Sequence, residues 1–170
     1  AAGMWQFIRA TGQRFMRIDN VVDERMDPYT ATYAAMSLLE YNYNLLGSWP
    51  LALTAYNHGA GGLARAVRET GTNDIATIIA NYQGRAFGFA SRNFYPQFLA
   101  VLDVERQAQA LFGVLHLDPA PDYQEFELQA YIEADTLAQS LGVTIDQLKF
   151  DNPALRPVVW QGGKRIPKGY

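Results

Sequence analysis

Apolar residues recur at helical spacing over most of the first 112 positions, and the pattern changes beyond them. The clearest helix covers 29–46. Ala31, Ala34, Ala35, Leu38, Tyr41 and Leu45 make one apolar face; Tyr29, Tyr33, Met36 and Tyr43 make another. A helix apolar nearly all round is usually a central, buried one. Asp27 before Pro28 starts it, because the carboxylate accepts orphan backbone N–H groups and proline is pre-set for a first turn. Gly47 stops it. Upstream, Thr11, Gly12 and Gln13 open a short helix through Met16, and 17–26 is a polar loop anchored by Ile18, Val21 and Val22. Within that loop the expected contact is an ion pair between Glu24 and Arg25.

The next helix begins at Ser48, Trp49 and Pro50, packs Leu51, Leu53, Ala55 and Tyr56, and ends by presenting Tyr56, Asn57 and His58 before Gly59, Gly61 and Gly62. Polar and aromatic groups at such an end can face a cleft, where a glycine-rich turn lets a ligand come close. An ordinary glycine-terminated helix gives the same spacing. A short helix over 63–69 follows, then one over 75–82 capped by Asn73 or Asp74. A turn-rich break at 83–88 precedes a long helical pattern over 89–112, with Pro96 near its start or kinking it. Gly113, Pro119 and Pro121 mark a linker over 113–125. Beyond it, Phe126, Leu128 and Ala130 alternate with Glu127, Gln129 and Tyr131, which predicts a short strand. Two helices then follow, Ala134 to the break at Gly142 and Thr144 to Phe150, before a turn at Asn152-Pro153. The pattern predicts a mainly α fold, with a helical domain over 1–112 and a small α+β module over 126–170.

Composition narrows the function. At 170 residues and 49% hydrophobic, the chain can bury a core as one domain plus a small one. A net charge of -3 argues against a nucleic-acid partner, which would usually meet a basic face. The lack of cysteine excludes a disulfide framework, a thiolate zinc site and a cysteine nucleophile. His58 and His116 have no paired spacing, so no metal site is expected. No apolar run approaches the length of a membrane span. Glu40, set among aromatic residues, is the acid best placed to stay protonated near neutral pH. Reaching solvent or bonding a tyrosine hydroxyl is the more ordinary fate of such a side chain.

Four stretches carry a resemblance. Ala55-Tyr56-Asn57 followed by Gly59 is similar to the AYN-x-G motif of the lysozyme-like lytic transglycosylases, and Gly3-Met4-Trp5-Gln6 resembles that family's G-[LMI]-[MW]-Q motif. Val22-Asp23-Glu24-Arg25 with Asp27-Pro28 resembles its VDER-x-DP entry to the following helix. Ala90-Ser91-Arg92-Asn93-Phe94-Tyr95-Pro96 resembles its ET-R-x-YVP segment, but Phe94 stands at the tyrosine position and Tyr95 comes one residue later. The membrane-bound D-type branch fits best, because ADTLAQSLGVTIDQL followed by Asn152 resembles a LysM module. That module has Ala134 where glycine is usual. Its closing strand should follow near Ile166-Pro167 and run past Tyr170, so it reads as incomplete.

The resemblance implies a peptidoglycan-cleaving enzyme that needs no cofactor and no metal. One glutamate would protonate the oxygen between N-acetylmuramic acid and N-acetylglucosamine, and the muramyl 6-hydroxyl would close on C1 to give a 1,6-anhydro end. That glutamate precedes the first motif in the family, which places it upstream of Ala1 and leaves this chain inactive without it. Met4, Gln6, Tyr56, Asn57, Phe94 and Tyr95 would bind the glycan. Taken alone, without the resemblance, Met4 and Trp5 read as core and Gln6 as an exposed amide. The implied partners are peptidoglycan strands, with no nucleic acid and with membrane contact only through an upstream lipid anchor. The implied location is the envelope of a Gram-negative bacterium, periplasmic or attached to the outer membrane. Three rivals stay open: a non-catalytic protein binding peptidoglycan or chitin-type oligosaccharides, a helical domain for protein contacts, and a lysozyme using water.

Overall fold

The computed structural model describes residues 1–120, 122 and 124–170. Among these the fold is mainly α, with ten α-helices and no assigned strand. They are α1 Arg9–Gly12, α2 Pro28–Leu46, α3 Trp49–His58, α4 Ala60–Thr70 and α5 Ile75–Asn81. The others are α6 Phe89–Arg106, α7 Ala108–Phe112, α8 Ala134–Leu141, α9 Ile145–Asp151 and α10 Pro157–Trp160. The chain forms two compact units, Ala1–Met36 with Pro121–Tyr170, and Ser37–Ala120.

In the second unit α3 packs against α4 and α6, and α4 against α5. Leu51, Ala55, Leu63, Ala66, Ile75, Ile78, Tyr82 and Phe87 form its core. Asp74 caps α5 by accepting from the Thr77 backbone N–H at 2.8 Å. The Arg92 guanidinium lies over the Phe87 ring and donates to the carbonyls of Phe87, Ile79 and Tyr82, which ties α6 to the loop before it. Ser48 precedes α3 without capping it: its hydroxyl is buried and makes no hydrogen bond.

Three helix boundaries differ from the sequence pattern. α1 lies at 9–12 rather than 11–16, because Gly12 is buried against Ile18 and Arg25, and the Gln13 amide turns aside to the Ile18 carbonyl. Only Gly59, at φ +89°, makes the turn after α3, so Gly61 and Gly62 fall inside α4. α6 absorbs Pro96 without a break and ends instead at Gln107. An internal proline removes one ladder hydrogen bond.

In the first unit Val22 shares a core with Ala134, Leu137, Ala138, Leu148, Leu155, Val159 and Ile166. The expected strand at 126–131 is not formed. The chain bends at Gln129 and Ala130, Phe126 and Ala130 are exposed, and the side chains that pack on the core are Leu128 and Ile132, four apart instead of two. The partner stretch near Ile166 is nevertheless paired with this one. Ile132 and Ile166 exchange both backbone hydrogen bonds, at 3.2 and 2.8 Å, and Leu128 bonds Gly169 and Tyr170 at 2.8 Å each.

The expected Glu24–Arg25 pair is also replaced. Residues 24–26 form a 3-10 turn that sends the two side chains different ways. The Glu24 carboxylate accepts from the Arg17 backbone N–H at 2.5 Å. Arg25 forks onto Asp23 at 2.7 and 2.8 Å, and Arg156 reaches the same carboxylate at 2.8 Å. The Asp23 side chain is only 8% exposed, and the Arg25 guanidinium beside it holds its carboxyl below the usual range against the cost of burial. Removing one member of a buried pair strands the other charge. Asp23→Ala should therefore lose about 3–5 kcal/mol of unfolding free energy, measured by denaturant titration. The amide of Arg156, bonded to the Val21 carbonyl at 2.9 Å, should lose hydrogen-exchange protection.

Candidate functional site

Gly3-Met4-Trp5-Gln6 is a tight turn closed by an antiparallel bridge between Ala2 and Phe7. Gly3 has φ +71°, and a Cβ there would sit 1.6 Å from the Arg25 carbonyl oxygen, so the turn rests directly on backbone. Gln6 holds the left-handed region at φ +51°, with its side-chain Nε2 donating to the Gly3 carbonyl at 2.7 Å. The Trp5 indole N–H donates to Thr32 Oγ1 at 2.8 Å. Trp5 is thus the anchor of the turn. Met4, 66% exposed, and Gln6, also exposed, stand on its open side, so Met4 is not the core residue that packing alone would suggest.

The end of α3 gathers a second group. The half-buried Tyr56 ring lies parallel to Phe94, with centroids 6.5 Å apart. Burial pushes its phenol up to about 12, so the hydroxyl keeps its proton throughout the neutral range. Tyr95 faces the other way, packing at the edge of the core and stacking on Phe98. The ring beside the Tyr56 motif is therefore Phe94, which has no hydroxyl. Asn57 is exposed, and its Oδ1 accepts from the hydroxyl of buried Ser91 at 3.1 Å. Ser91 Oγ also lies 3.1 Å from His58 Nδ1. The His58 ring meets Phe87 edge-on at 5.0 Å, and burial lowers its pKa, so it is neutral at pH 7. A Cβ on residue 62 would come within 2.5 Å of that ring, which explains Gly62.

Each unit brings together its own predicted residues: Met4 and Gln6 on one turn of the first, Tyr56, Asn57 and Phe94 in the second. Ser91 was missed as a site residue, and His58, presented at the same helix end, was given no role there. The available signal was a small hydroxyl residue one turn before Phe94, inside the motif-like segment. Glu40 is exposed on α2. An open cleft of about 800 Å³ in the first unit contains none of the six predicted residues. Four of its charged side chains are paired there, Arg17 with Asp19 and Arg165 with Glu133, both at 2.7 Å, and it is an open surface.

Comparison with known proteins agrees with the motifs. Residues 1–79 match the family model described as the transglycosylase SLT domain. Over 160 residues, 92% of its length, the chain is 25% identical to membrane-bound lytic murein transglycosylase D of Escherichia coli strain K12. The same protein of strain O6:H1 matches equally. The chain spans about a third of the length of these curated relatives, 34% in each case. Among the described residues, no helix is long and apolar enough to cross a membrane.

Two outcomes follow from the geometry. Gly3→Ala must displace the Arg25 carbonyl and adopt a strained φ, and should cost at least about 2 kcal/mol in chemical denaturation. For His58, the unfolded chain takes up a proton near pH 6.5, above the lowered folded value. Its contribution to stability is complete above about 6.5 and is lost as pH falls through the folded pKa. The melting temperature should fall between pH 7 and 5, and His58→Gln should flatten that slope.

Proposed function

We propose that this chain is the glycan-holding part of a peptidoglycan lytic transglycosylase, with residues 1–112 as the transglycosylase domain. The observation that carries the reading is the end of α3, where Tyr56 and Asn57 stand beside Phe94 within a helical unit. Neutral amides orient acetamido and hydroxyl groups without adding charge, and stacked rings supply the apolar wall that a saccharide face packs on. On the first unit, the exposed Met4 and Gln6 offer an apolar and a neutral amide group of their own. The bond cleaved is that between N-acetylmuramic acid and N-acetylglucosamine. The general acid is a glutamate outside these 170 residues, in the order that the motifs imply. Within the chain, Glu24 is engaged with a backbone N–H and Glu40 faces solvent, which supports that assignment.

The pairing of Leu128 and Ile132 with the 166–170 stretch, around α8 and α9, supports a LysM-like reading of 126–170 with 113–125 as its linker. The setting is the bacterial envelope, reached by an anchor outside the described residues. Purified peptidoglycan digested with this chain should release no anhydromuropeptides by mass spectrometry, while a chain extended upstream through the glutamate should release them. A general acid is worth about a hundred- to ten-thousand-fold in rate. Anhydro products from the 170-residue chain would overturn the assignment of the acid. Glycan binding by both forms with no product from either would favour the non-catalytic binding protein.

A further inference from the structure

We propose that Ser91, with His58 behind it, is a positioning residue that locks the Asn57 amide with its NH2 group outward, as a donor to an oxygen of the glycan. The inference rests on the glycan reading of the α3 end. An exposed asparagine at a helix terminus would otherwise present either its carbonyl or its NH2 edge by rotating about its last bond. Here the choice is coupled to the tautomer of His58 through Ser91. Oδ1 can only accept, so the single Ser91 proton, 3.1 Å away, is committed to it. The Ser91 oxygen then has lone pairs left, and one faces His58 Nδ1 at 3.1 Å, which must carry the proton of a neutral imidazole.

Hydrogen bonds therefore run in one direction, from His58 to Ser91 to Asn57. Reversing the amide would require the whole chain to reverse, with NH2 donating to Ser91, the Ser91 hydroxyl donating to His58 Nδ1 and the imidazole proton carried on Nε2. Ser91 is 6% exposed, so water does not stand in for either partner. The ring at the head of the chain is held in place by Phe87 and fills the space left by Gly62, so Nδ1 stays against Ser91. The same direction argues against a nucleophilic Ser91. A nucleophile would give its proton to the imidazole, whereas this serine receives a hydrogen bond from it. What the site offers outward is a neutral, oriented donor, suited to an acetamido carbonyl or a sugar hydroxyl oxygen.

The test uses the whole chain, labelled with nitrogen-15, and a tetramer of N-acetylglucosamine as the probe. Nitrogen shifts of His58 should show Nδ1 protonated near pH 7, and the Asn57 side-chain amide should move on titration. Ser91→Thr keeps the hydroxyl and Ser91→Val replaces it with a methyl group of equal size. The valine variant should bind about tenfold more weakly than the threonine variant, roughly the worth of one oriented hydrogen bond. Its Asn57 amide should broaden or shift before ligand is added. Equal affinity of the two variants would overturn the positioning role while leaving the glycan reading intact, and so would a wild-type His58 protonated on Nε2. A tetramer that moves no resonance of the wild type, with Nδ1 still protonated, would sink the glycan reading and the donor role of Asn57 with it.

Discussion

The Asp23 carboxylate is the group around which the first unit is assembled. Arg25 forks onto it, and the same guanidinium reaches the Phe7 carbonyl at 3.1 Å, at the foot of the motif turn. The Arg25 backbone carbonyl lies directly under Gly3. On the other side Arg156 bonds the carboxylate, the Asp23 backbone N–H donates to the Ala154 carbonyl at 2.7 Å, and Val22 bridges Leu155. One buried acid thus holds together an N-terminal turn and a segment 133 residues further along. Burying a carboxylate is costly unless it is paired and its lone pairs are used, and here both conditions are met.

The second unit solves a different problem, which is ending one helix and starting another with a single residue between them. Gly59 provides the positive φ, and the carbonyl of Ala55 accepts its N–H at 2.7 Å. Because the reversal is so short, His58 sits over the first turn of α4, and only a glycine at 62 leaves room for its ring. α6 then closes the group from the side, bringing Ser91 to Asn57 and His58, and Phe94 to Tyr56. Arg92 holds that register by saturating three carbonyls of the preceding loop.

In both units the exposed groups of the motif-like stretches stand on closely packed supports. Met4 and Gln6 are carried by a turn resting on Arg25, and Asn57 is carried by a helix end whose side-chain amide is already bonded. A saccharide has many similar hydroxyl groups, so a site gains discrimination from groups whose orientation is set before binding.

Local features were legible in the sequence because they are decided within a few residues. Asp27 accepts from the N–H groups of Tyr29 and Thr30 at 2.8 and 2.9 Å, and Thr144 accepts from Gln147 at 3.1 Å. The helical spacing of α2 is equally short-range, but its expected burial all round is not met: Ala31, Ala34, Ala35 and Leu38 are buried, while Tyr29, Tyr33, Met36, Tyr41, Tyr43 and Leu45 are exposed. Misreadings arose where the deciding partner was distant. Glu24 and Arg25 are adjacent and oppositely charged, yet Arg25 turns to Asp23 because only there does a buried carboxylate also meet Arg156. Phe126, Leu128 and Ala130 alternate as a strand should, but Leu128 and Ile132 are the positions that the core of α8, α9 and α10 can cover. Asn57 was recognisable by its motif, while the direction in which its amide points was not. A single sequence states which donors and acceptors exist, and only the packed chain, by excluding water from Ser91, decides which of them must pair.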